Sequence, residues 1–284
     1  MKVSVIIPFR NKNDLLLKCI DSVKNQNYKN VEIITASDTT ILNERGVKSL
    51  CDPKCKGPGF KRNLGASVAK GDILFFLDSD CIMKKNTIEN LIKIFNETDA
   101  DAISGKPLKP HKGNFLGFMV GLMYEDAFDQ MGESFVDVAA TTCLAVKRNP
   151  FRALRGFNEY SEGEAIGEDW EFTARLTNAG FRLFHTNKVE VFHEHGSDTL
   201  KKYLKRQYEH ARYRVSHYKK FKKTTDSYSN PSFFVSSMLL LNIPAAIRIY
   251  GKTKDKKVFI GFPVITFLRT IAWLYGMIIG VIKD

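Results

Sequence analysis

Short, largely apolar runs alternate with helix-spaced apolar positions along the first hundred residues of the chain. Val3–Ile7 is such a run, ended by Pro8, and its pattern is typical of a buried parallel strand. Residues 13–25 then repeat apolar side chains at helical intervals, with Asn11 or Asn13 as the N-cap. We predict further strands at Val31–Ala36, Asp72–Leu77 and Ala100–Ser104, and further helices at Lys61–Ala69 and 86–96.

This order of elements, β-α-β-α-β-α-β, predicts an α/β fold with a mostly parallel sheet and helices on both faces. Sheets of this kind bind their ligands beyond the carboxyl ends of the strands. Three polar segments fall at such ends, namely Pro8–Asn11, Ser37–Asp38 and Asp78–Asp80. Their positions predict a single binding site at this edge of the sheet.

The middle of the chain has a weaker pattern. Residues 39–59 show no clear period and contain Pro53 and the run Gly57-Pro58-Gly59, so we predict a long flexible loop. Residues 105–135 stay unassigned, although Phe115–Tyr124 is apolar. Beyond them we predict strands at Val136–Val146, Phe181–His185 and Val189–His193, and a helix that opens at Gly167–Asp169 and runs to about Asn178.

A basic helix, predicted from Thr199 to about Tyr218 with Asp198 as its cap, precedes two apolar stretches. Ser232–Tyr250 is interrupted by a proline, whereas Val258–Ile282 holds one charge and is long enough to span a bilayer. Between them, residues 251–257 carry four lysines, and basic loops prefer the cytoplasm. We therefore expect an interfacial or re-entrant first segment, followed by one span or a second interfacial helix; a soluble helical hairpin is the alternative.

Charge and cysteine usage narrow the choice of partners and compartment. The chain of 284 residues has a formal net charge of +12, and residues 198–223 alone hold ten Lys/Arg against two Asp/Glu. Such a cluster attracts an anionic membrane surface or nucleic acid, and the apolar stretches beside it favour the membrane, so we expect no nucleic-acid partner.

The beginning of the chain lacks the pattern of a signal peptide, and five sparse cysteines indicate reduced thiols, which predicts a cytosolic location.

Carboxylates follow directly on the strand that ends at Leu77. Asp78 and Asp80, two positions apart, suit one Mg²⁺ or Mn²⁺ ion, because these hard cations prefer oxygen ligands. A solvated turn is the simpler alternative for such a pair. His193, at the end of a predicted strand, is a candidate to complete the metal shell, although a lone histidine is more often just packed.

Two further segments carry candidate chemistry. Glu168, Asp169 and Trp170 open a predicted helix, where a carboxylate either caps the helix or acts as a general base that accepts a proton from a hydroxyl group. Lys61-Arg62-Asn63 follows a Gly-Pro-Gly turn. These side chains form either a contact to a diphosphate or ribose or an ordinary exposed basic face, and spacing alone does not separate the two.

Taken together and in this order, the motifs resemble glycosyltransferase family 2, with its GT-A fold, over about residues 1–215. The resemblance implies that Asp38 contacts the nucleotide base, that Asp80 binds the metal and that Asp169 is the catalytic base. It further implies nucleotide contacts from Pro8, Phe9, Asn11, Lys61, Arg62, Asn63, Asp78 and Ser79, metal contacts from Asp78 and His193, and acceptor contacts from Glu168 and Trp170.

The resemblance implies an inverting, metal-dependent transfer of one sugar from a nucleotide-diphosphate donor, UDP more than GDP. Single transfer is expected because the Gln-x-x-Arg-Trp motif of processive synthases is absent. The predicted domains are a catalytic domain at 1–220 and a basic linker with membrane-associated apolar helices at 221–284. They place the enzyme at the cytoplasmic face of a membrane, with a lipid-linked or polysaccharide acceptor. The alternatives are a sugar nucleotidyltransferase and a non-catalytic membrane-bound scaffold.

Overall fold

The structure is a computed structural model that describes residues 1–54, 57–108, 114–159, 167–194, 199–221 and 243–283. The chain forms two compact units. The first contains Met1–Leu108 and Met131–Glu194, and the second contains Lys109–Gln130 and His195–Asp284. These units are defined by contacts rather than by independent folding, so the domain boundary at residue 220 stays a prediction.

A mixed sheet forms the centre of the first unit. Six of its nine strands point the same way, and three run against them, so the predicted α/β class with a mostly parallel sheet is confirmed. The strand order is β3-β2-β1-β4-β8-β6-β9-β5, with β7 paired to β9. The strands are β1 (Val3–Pro8), β2 (Val31–Ser37), β3 (Val47–Cys51), β4 (Ile73–Leu77), β5 (Cys81–Met83), β6 (Ala102–Leu108), β7 (Ser134–Phe135), β8 (Cys143–Lys147) and β9 (Leu183–His193).

Helices cover both faces of this sheet, as predicted. Side chains of a strand alternate between the faces, so Val5 and Ile7 pack with α1 and α3, whereas Ile6 packs on the opposite side near α5 and α6. The described residues form the helices α1 (Asp14–Lys24), α2 (Pro58–Val68), α3 (Thr87–Glu97), α4 (Phe115–Met131), α5 (Arg148–Ala153), α6 (Glu168–Asn178), α7 (Leu200–Phe221), α8 (Ile243–Thr253) and α9 (Val258–Lys283).

The register of the parallel strands brings the predicted polar segments to one edge. Val3 of β1 pairs with Val31 of β2 on one side and with Ile73 of β4 on the other. Strands that start together and run in parallel also end together. The residues that follow β1, β2 and β4 therefore lie side by side.

Several local predictions were wrong. Residues 39–59 contain the strand β3, which the pattern missed because an edge strand that is only half-buried has a weak apolar signal. Val136–Val146 is strand only from Cys143, and the two short strands predicted at 181–193 are one strand, β9. β9 is continuous through its polar centre, where its pairing with β6 shifts register between Ser104 and Lys106.

The second unit contains α4, α7, α8 and α9. The unassigned residues 105–135 include the whole of α4, and the apolar stretch at 258–282 is helical as predicted. Val258–Ile282 is long and apolar enough to cross a membrane. The predicted cap Asp198 and most of the Ser232–Tyr250 stretch lie outside the described residues.

Candidate active site

A cleft of about 380 Å³ opens at the edge where β1 and β4 end. Eight residues predicted for the site line it, and Arg10 and the Gly57-Pro58 turn line it as well. The turn was visible in the sequence as Gly-Pro-Gly, and Arg10 lies within the predicted polar segment Pro8–Asn11, although no contact was predicted for it. The eight predicted residues are Pro8, Phe9, Lys61, Arg62, Asp78, Ser79, Asp80 and His193.

Asp80 and His193 meet in this cleft although 113 positions separate them. Antiparallel pairing of β5 with β9 places His193 opposite Cys81, beside Asp80. The His193 Nε2 atom lies 3.3 Å from Asp80 Oδ1. Together with Cys81 Sγ, these atoms lie within 4.8 Å of one another, the spacing of a metal-ligand cluster.

The donor atoms of this cluster fit Mg²⁺ or Mn²⁺ better than a thiophilic metal. Burial, with the charges of Asp78 and Asp80, raises the pKa of the Cys81 thiol well above its usual value. A thiol that keeps its proton is a poor ligand, which leaves one carboxylate and one imidazole as the useful donors. The residues present therefore fit a hard or borderline divalent ion.

Arg62 connects Asp78 in the cleft to the start of α6. Its guanidinium donates hydrogen bonds to Asp78 Oδ1 at 3.0 Å and to Glu168 Oε1 at 2.8 Å. The side chain is 4% exposed and lies over the ring of Phe157. Arg62 thus forms an ion-pair bridge between two acidic motifs, whereas the sequence left open a contact to a diphosphate or ribose and an exposed basic face.

Glu168 and Asp169 form an acidic pair in the first turn of α6. Desolvation raises the pKa of Glu168 to about 7, with the charge of Asp169 adding to the rise and Arg62 opposing it. Desolvation likewise raises the pKa of Asp169, and the charge of Arg62 and backbone N–H groups of Trp170 and Thr141 act in the opposite direction. Both carboxyl groups are consequently more basic than ordinary surface carboxylates.

The backbone at the start of α6 explains why a glycine precedes this pair. Gly167 is the N-cap residue, with φ of +89°, a left-handed conformation that side chains disfavour. No side chain caps this helix end, and the carboxylates of the first turn complement the helix dipole instead. Capping and proton transfer are therefore compatible roles for Glu168 and Asp169. Trp170 lies next in the helix and is half-buried.

Lys61 and Asp38 form a second ion pair at the edge of the sheet. The Lys61 Nζ atom lies 2.7 Å from Asp38 Oδ1, and the two side chains are 8% and 9% exposed. Burial opposes ionisation of Asp38, but the hydrogen bond and charge of Lys61, with the charge of Arg10, lower its pKa overall. The pair holds the start of α2 against the end of β2.

Asn63 and Asn11, the remaining predicted residues, do not line the cleft. The Asn63 side chain donates to the Phe157 carbonyl at 2.8 Å and accepts from the Phe157 N–H at 2.9 Å. This two-way bond fixes the segment before α6 to α2. Asn11 is exposed in the turn after β1.

Residues 4–155 match the family described as Glycosyl transferase family 2. Glycosyltransferase GlyG of Streptococcus pneumoniae is 31% identical over 132 residues, which are 42% of this chain and 44% of that protein. The O-antigen chain rhamnosyltransferase RfbN of Salmonella typhimurium is 26% identical over 214 residues, 69% of this chain and 67% of that protein. The chain thus spans less than half of GlyG.

Two solved structures share the fold. The mannosyltransferase PcManGT from Pyrobaculum calidifontis, solved in complex with GDP-Man and Mn²⁺, superposes with a TM-score of 0.61 at 15% identity. That similarity covers 100% of this chain and 88% of PcManGT. S. aureus TarS 1–349 gives a TM-score of 0.53 at 15% identity, with 100% and 92% covered. At this level of identity the likeness shows the fold alone, and it confirms the predicted GT-A type.

Proposed function

The chain belongs to glycosyl transferase family 2, and from this premise we propose that it moves a single sugar from a nucleotide-diphosphate donor to a glycan, with inversion. One observation carries the proposal. A cleft at the carboxyl edge of the sheet brings Asp80 and His193 together, and Arg62 ties its Asp78 to the Glu168–Asp169 pair. The groups proposed to bind the donor are thus connected through Arg62 to the groups proposed to act on the acceptor.

In this proposal Asp80 and His193 hold a divalent ion, Mg²⁺ or Mn²⁺, with Asp78 beside them. The structural relative PcManGT was solved with Mn²⁺, and the donor atoms here suit such an ion. When bound, the ion neutralises the diphosphate that leaves with the nucleotide. UDP is the favoured nucleotide and GDP the alternative.

The chain's own groups perform the remaining steps. Pro8, Phe9 and Lys61 line the cleft where the nucleotide is expected to lie, and Ser79 lies between the two aspartates. Asp38, which is ion-paired with the cleft residue Lys61, is proposed to contact the nucleotide base. The hydrogen bonds recorded for Asp169 come from backbone N–H groups, whereas Glu168 is ion-paired with Arg62.

Asp169 is therefore assigned as the general base. It accepts the proton of the acceptor hydroxyl while the acceptor oxygen bonds to the anomeric carbon. The bond from that carbon to the diphosphate breaks on the opposite face in the same step, which inverts the configuration. Glu168 and Trp170 are placed on the acceptor side.

The acceptor is proposed to be a membrane-proximal glycan, either lipid-linked or part of a polysaccharide. RfbN, whose name describes an O-antigen chain rhamnosyltransferase, supports a growing glycan as the class of acceptor. The apolar α9 and the basic residues near it support a location at the cytoplasmic face of a membrane. The nucleotidyltransferase and scaffold alternatives have no observation of their own in their favour.

Release of nucleotide from a panel of UDP-, GDP- and dTDP-sugars tests the proposal. Purified protein is offered each donor with Mn²⁺ and then with chelator, alone and with a lipid-linked glycan acceptor. We expect metal-dependent release from one donor, lost in Asp80→Asn and kept in Asp21→Asn, an exposed change on α1. Absence of both nucleotide release and metal-dependent nucleotide binding for every donor would contradict the proposal.

A further inference from the structure

The two longest helices of the second unit, α7 and α9, run side by side in the same direction. Near the start of the contact Arg269 of α9 donates a hydrogen bond to Tyr203 of α7. One turn further along both helices, the indole Nε1 of Trp273 donates to Gln207 Oε1 at 2.9 Å. Because the positions rise together along both helices, the helices are parallel.

Glycines let the helices stay close beyond this point. A side chain at Gly276 would collide with the Tyr208 carbonyl, and one at Gly280 would lie 3.1 Å from the Arg212 carbonyl. The contact thus extends from residue 269 to residue 280 of α9, about 16 Å at 1.5 Å per residue. Over this length α9 packs directly against α7.

The face of α9 that points away from the protein is entirely apolar. Every exposed side chain described between 258 and 282 is aliphatic or aromatic, and Arg269, the one charge of this stretch, contacts Tyr203 instead. The exposed positions recur three or four residues apart and so form one stripe. The stripe consists of Phe259, Ile260, Val264, Phe267, Ile271, Tyr275, Ile278, Val281 and Ile282.

Exposed cations lie on α7 and in the turn that precedes α9. On α7, Lys205, Arg206 and Arg212 are exposed within the stretch that lies along α9. Lys201 and Lys202 precede them, and the turn between α8 and α9 adds three more lysines, Lys254, Lys256 and Lys257. Apolar side chains together with a positive charge of this density complement a bilayer that carries anionic lipid.

A transmembrane α9 is incompatible with this packing. If α9 crossed the hydrocarbon, the α7 segment beside it would enter too, with Arg206, Glu209 and Arg212. Each charge at the centre of a membrane helix disfavours insertion by roughly a hundredfold. An orientation in the plane of the surface avoids this cost, because the apolar stripe enters the boundary between headgroups and acyl chains while the cations stay among the headgroups.

We propose that α7 and α9 form a membrane-docking element that lies flat on an anionic bilayer, with the α9 stripe immersed in the interface and no crossing. The inference rests on the proposed membrane location and is independent of the proposed sugar transfer. It would place the second unit on the lipid surface, where a lipid-linked acceptor is presented.

Depth measurements distinguish a flat helix from a spanning one. Single cysteines replace Ile260, Ile271 and Val281 in the full chain carrying Cys51→Ser and Cys55→Ser, and each is labelled with a fluorophore. On phosphatidylcholine–phosphatidylglycerol vesicles, lipids with a shallow quencher and lipids with a deep quencher are compared. We expect all three sites to be quenched more strongly by the shallow label. A deep site at 271 between shallow sites at 260 and 281 would show a span and overturn the proposal.

Vesicle flotation tests the stripe and the cations separately. Ile271→Glu should weaken binding at least about tenfold. The substitution removes an aliphatic side chain that would be immersed in the bilayer interface, and it adds a charge there. Lys202→Glu should weaken binding to anionic vesicles by roughly fivefold or more, less at high salt. The controls, Ile41→Glu and Lys18→Glu, make the same changes at exposed positions of the first unit and should bind as wild type does.

Two other results would also overturn the proposal. One is wild-type protein that stays off anionic vesicles. The other is a wild-type dimer that Ile271→Glu converts to a monomer, because a second copy would then cover the stripe. Nucleotide release by soluble protein is measured on the same samples, so failure of docking and failure of the proposed transfer are distinguishable.

Discussion

The guanidinium of Arg62 lies 2.8 Å from the Glu168 carboxylate, and its other terminal nitrogen lies 3.0 Å from Asp78. One buried cation therefore joins two acidic motifs that are ninety positions apart in the chain. In a low-dielectric environment such a bridge fixes both the positions and the charges of its partners. We regard Arg62 as a positioning residue that connects the metal side of the cleft to the proposed base.

Arg62→Met should destabilise the fold and slow the reaction. Removing the guanidinium leaves the carboxylates of Asp78 and Glu168 without their counter-ion. Breaking a buried ion pair in this way costs about 3–5 kcal/mol. The free energy of unfolding in urea measures this loss, which should be smaller when Glu168→Gln is already present. Lys48→Met, at an exposed position of β3, is the control and should change stability by no more than about 0.5 kcal/mol. Additive effects of Arg62→Met and Glu168→Gln would show that the two side chains do not couple.

The raised pKa of Glu168 should make the free energy of unfolding decrease as pH rises. This pKa is raised in the folded chain from 4.5 to about 7, so between these values the folded state holds a proton that the unfolded state has released. Stability then falls with pH across this window, by about 3 kcal/mol at most, and levels off above pH 7. Unfolding free energies measured from pH 4.5 to 8 should show this slope in wild type and a reduced slope in Glu168→Gln. Equal slopes would refute the shift.

The parallel strands could be predicted because they are buried on both faces and therefore read as apolar runs. β4, Ile73–Leu77, is fully buried and its prediction was right to within one residue. β3 was missed because it lies at the edge of the sheet, where its side chains are mostly half-buried. A run of apolar residues indicates that a segment is buried, and an edge strand is only partly buried.

The members of the candidate site could be proposed from motifs, but their partners could not. Asp38 and Lys61 were assigned separate nucleotide contacts, yet they form an ion pair with each other. The bond from Asn63 to Phe157 joins segments 94 positions apart. Such pairings arise from the packing of α2 between β2 and the residues before α6, and no periodicity along the chain encodes them.

Metal binding should depend on His193 and not on Cys81. Because thiols select softer metals than Mn²⁺, Cys81→Ala should leave the Mn²⁺ affinity unchanged, whereas His193→Ala should weaken it by roughly 10–100-fold. Calorimetric titration of Mn²⁺ in the presence of a nucleoside diphosphate measures both. An equal loss in the two variants would indicate a thiolate site and a different metal.

Asp169→Asn should abolish most of the transfer while leaving the donor bound. An amide cannot accept the acceptor's proton, so the rate should fall by at least about 10²-fold, the usual size of a general-base contribution. Donor affinity, measured by titration with the nucleotide sugar, should stay near that of wild type because Asp169 lies at the start of α6 and does not line the nucleotide cleft. Asp137→Asn, an exposed change in the segment between β7 and β8, is the matched control. If Asp169→Asn transfers sugar at the wild-type rate while Glu168→Gln does not, the base is Glu168, and Arg62 then holds the base itself rather than its neighbour.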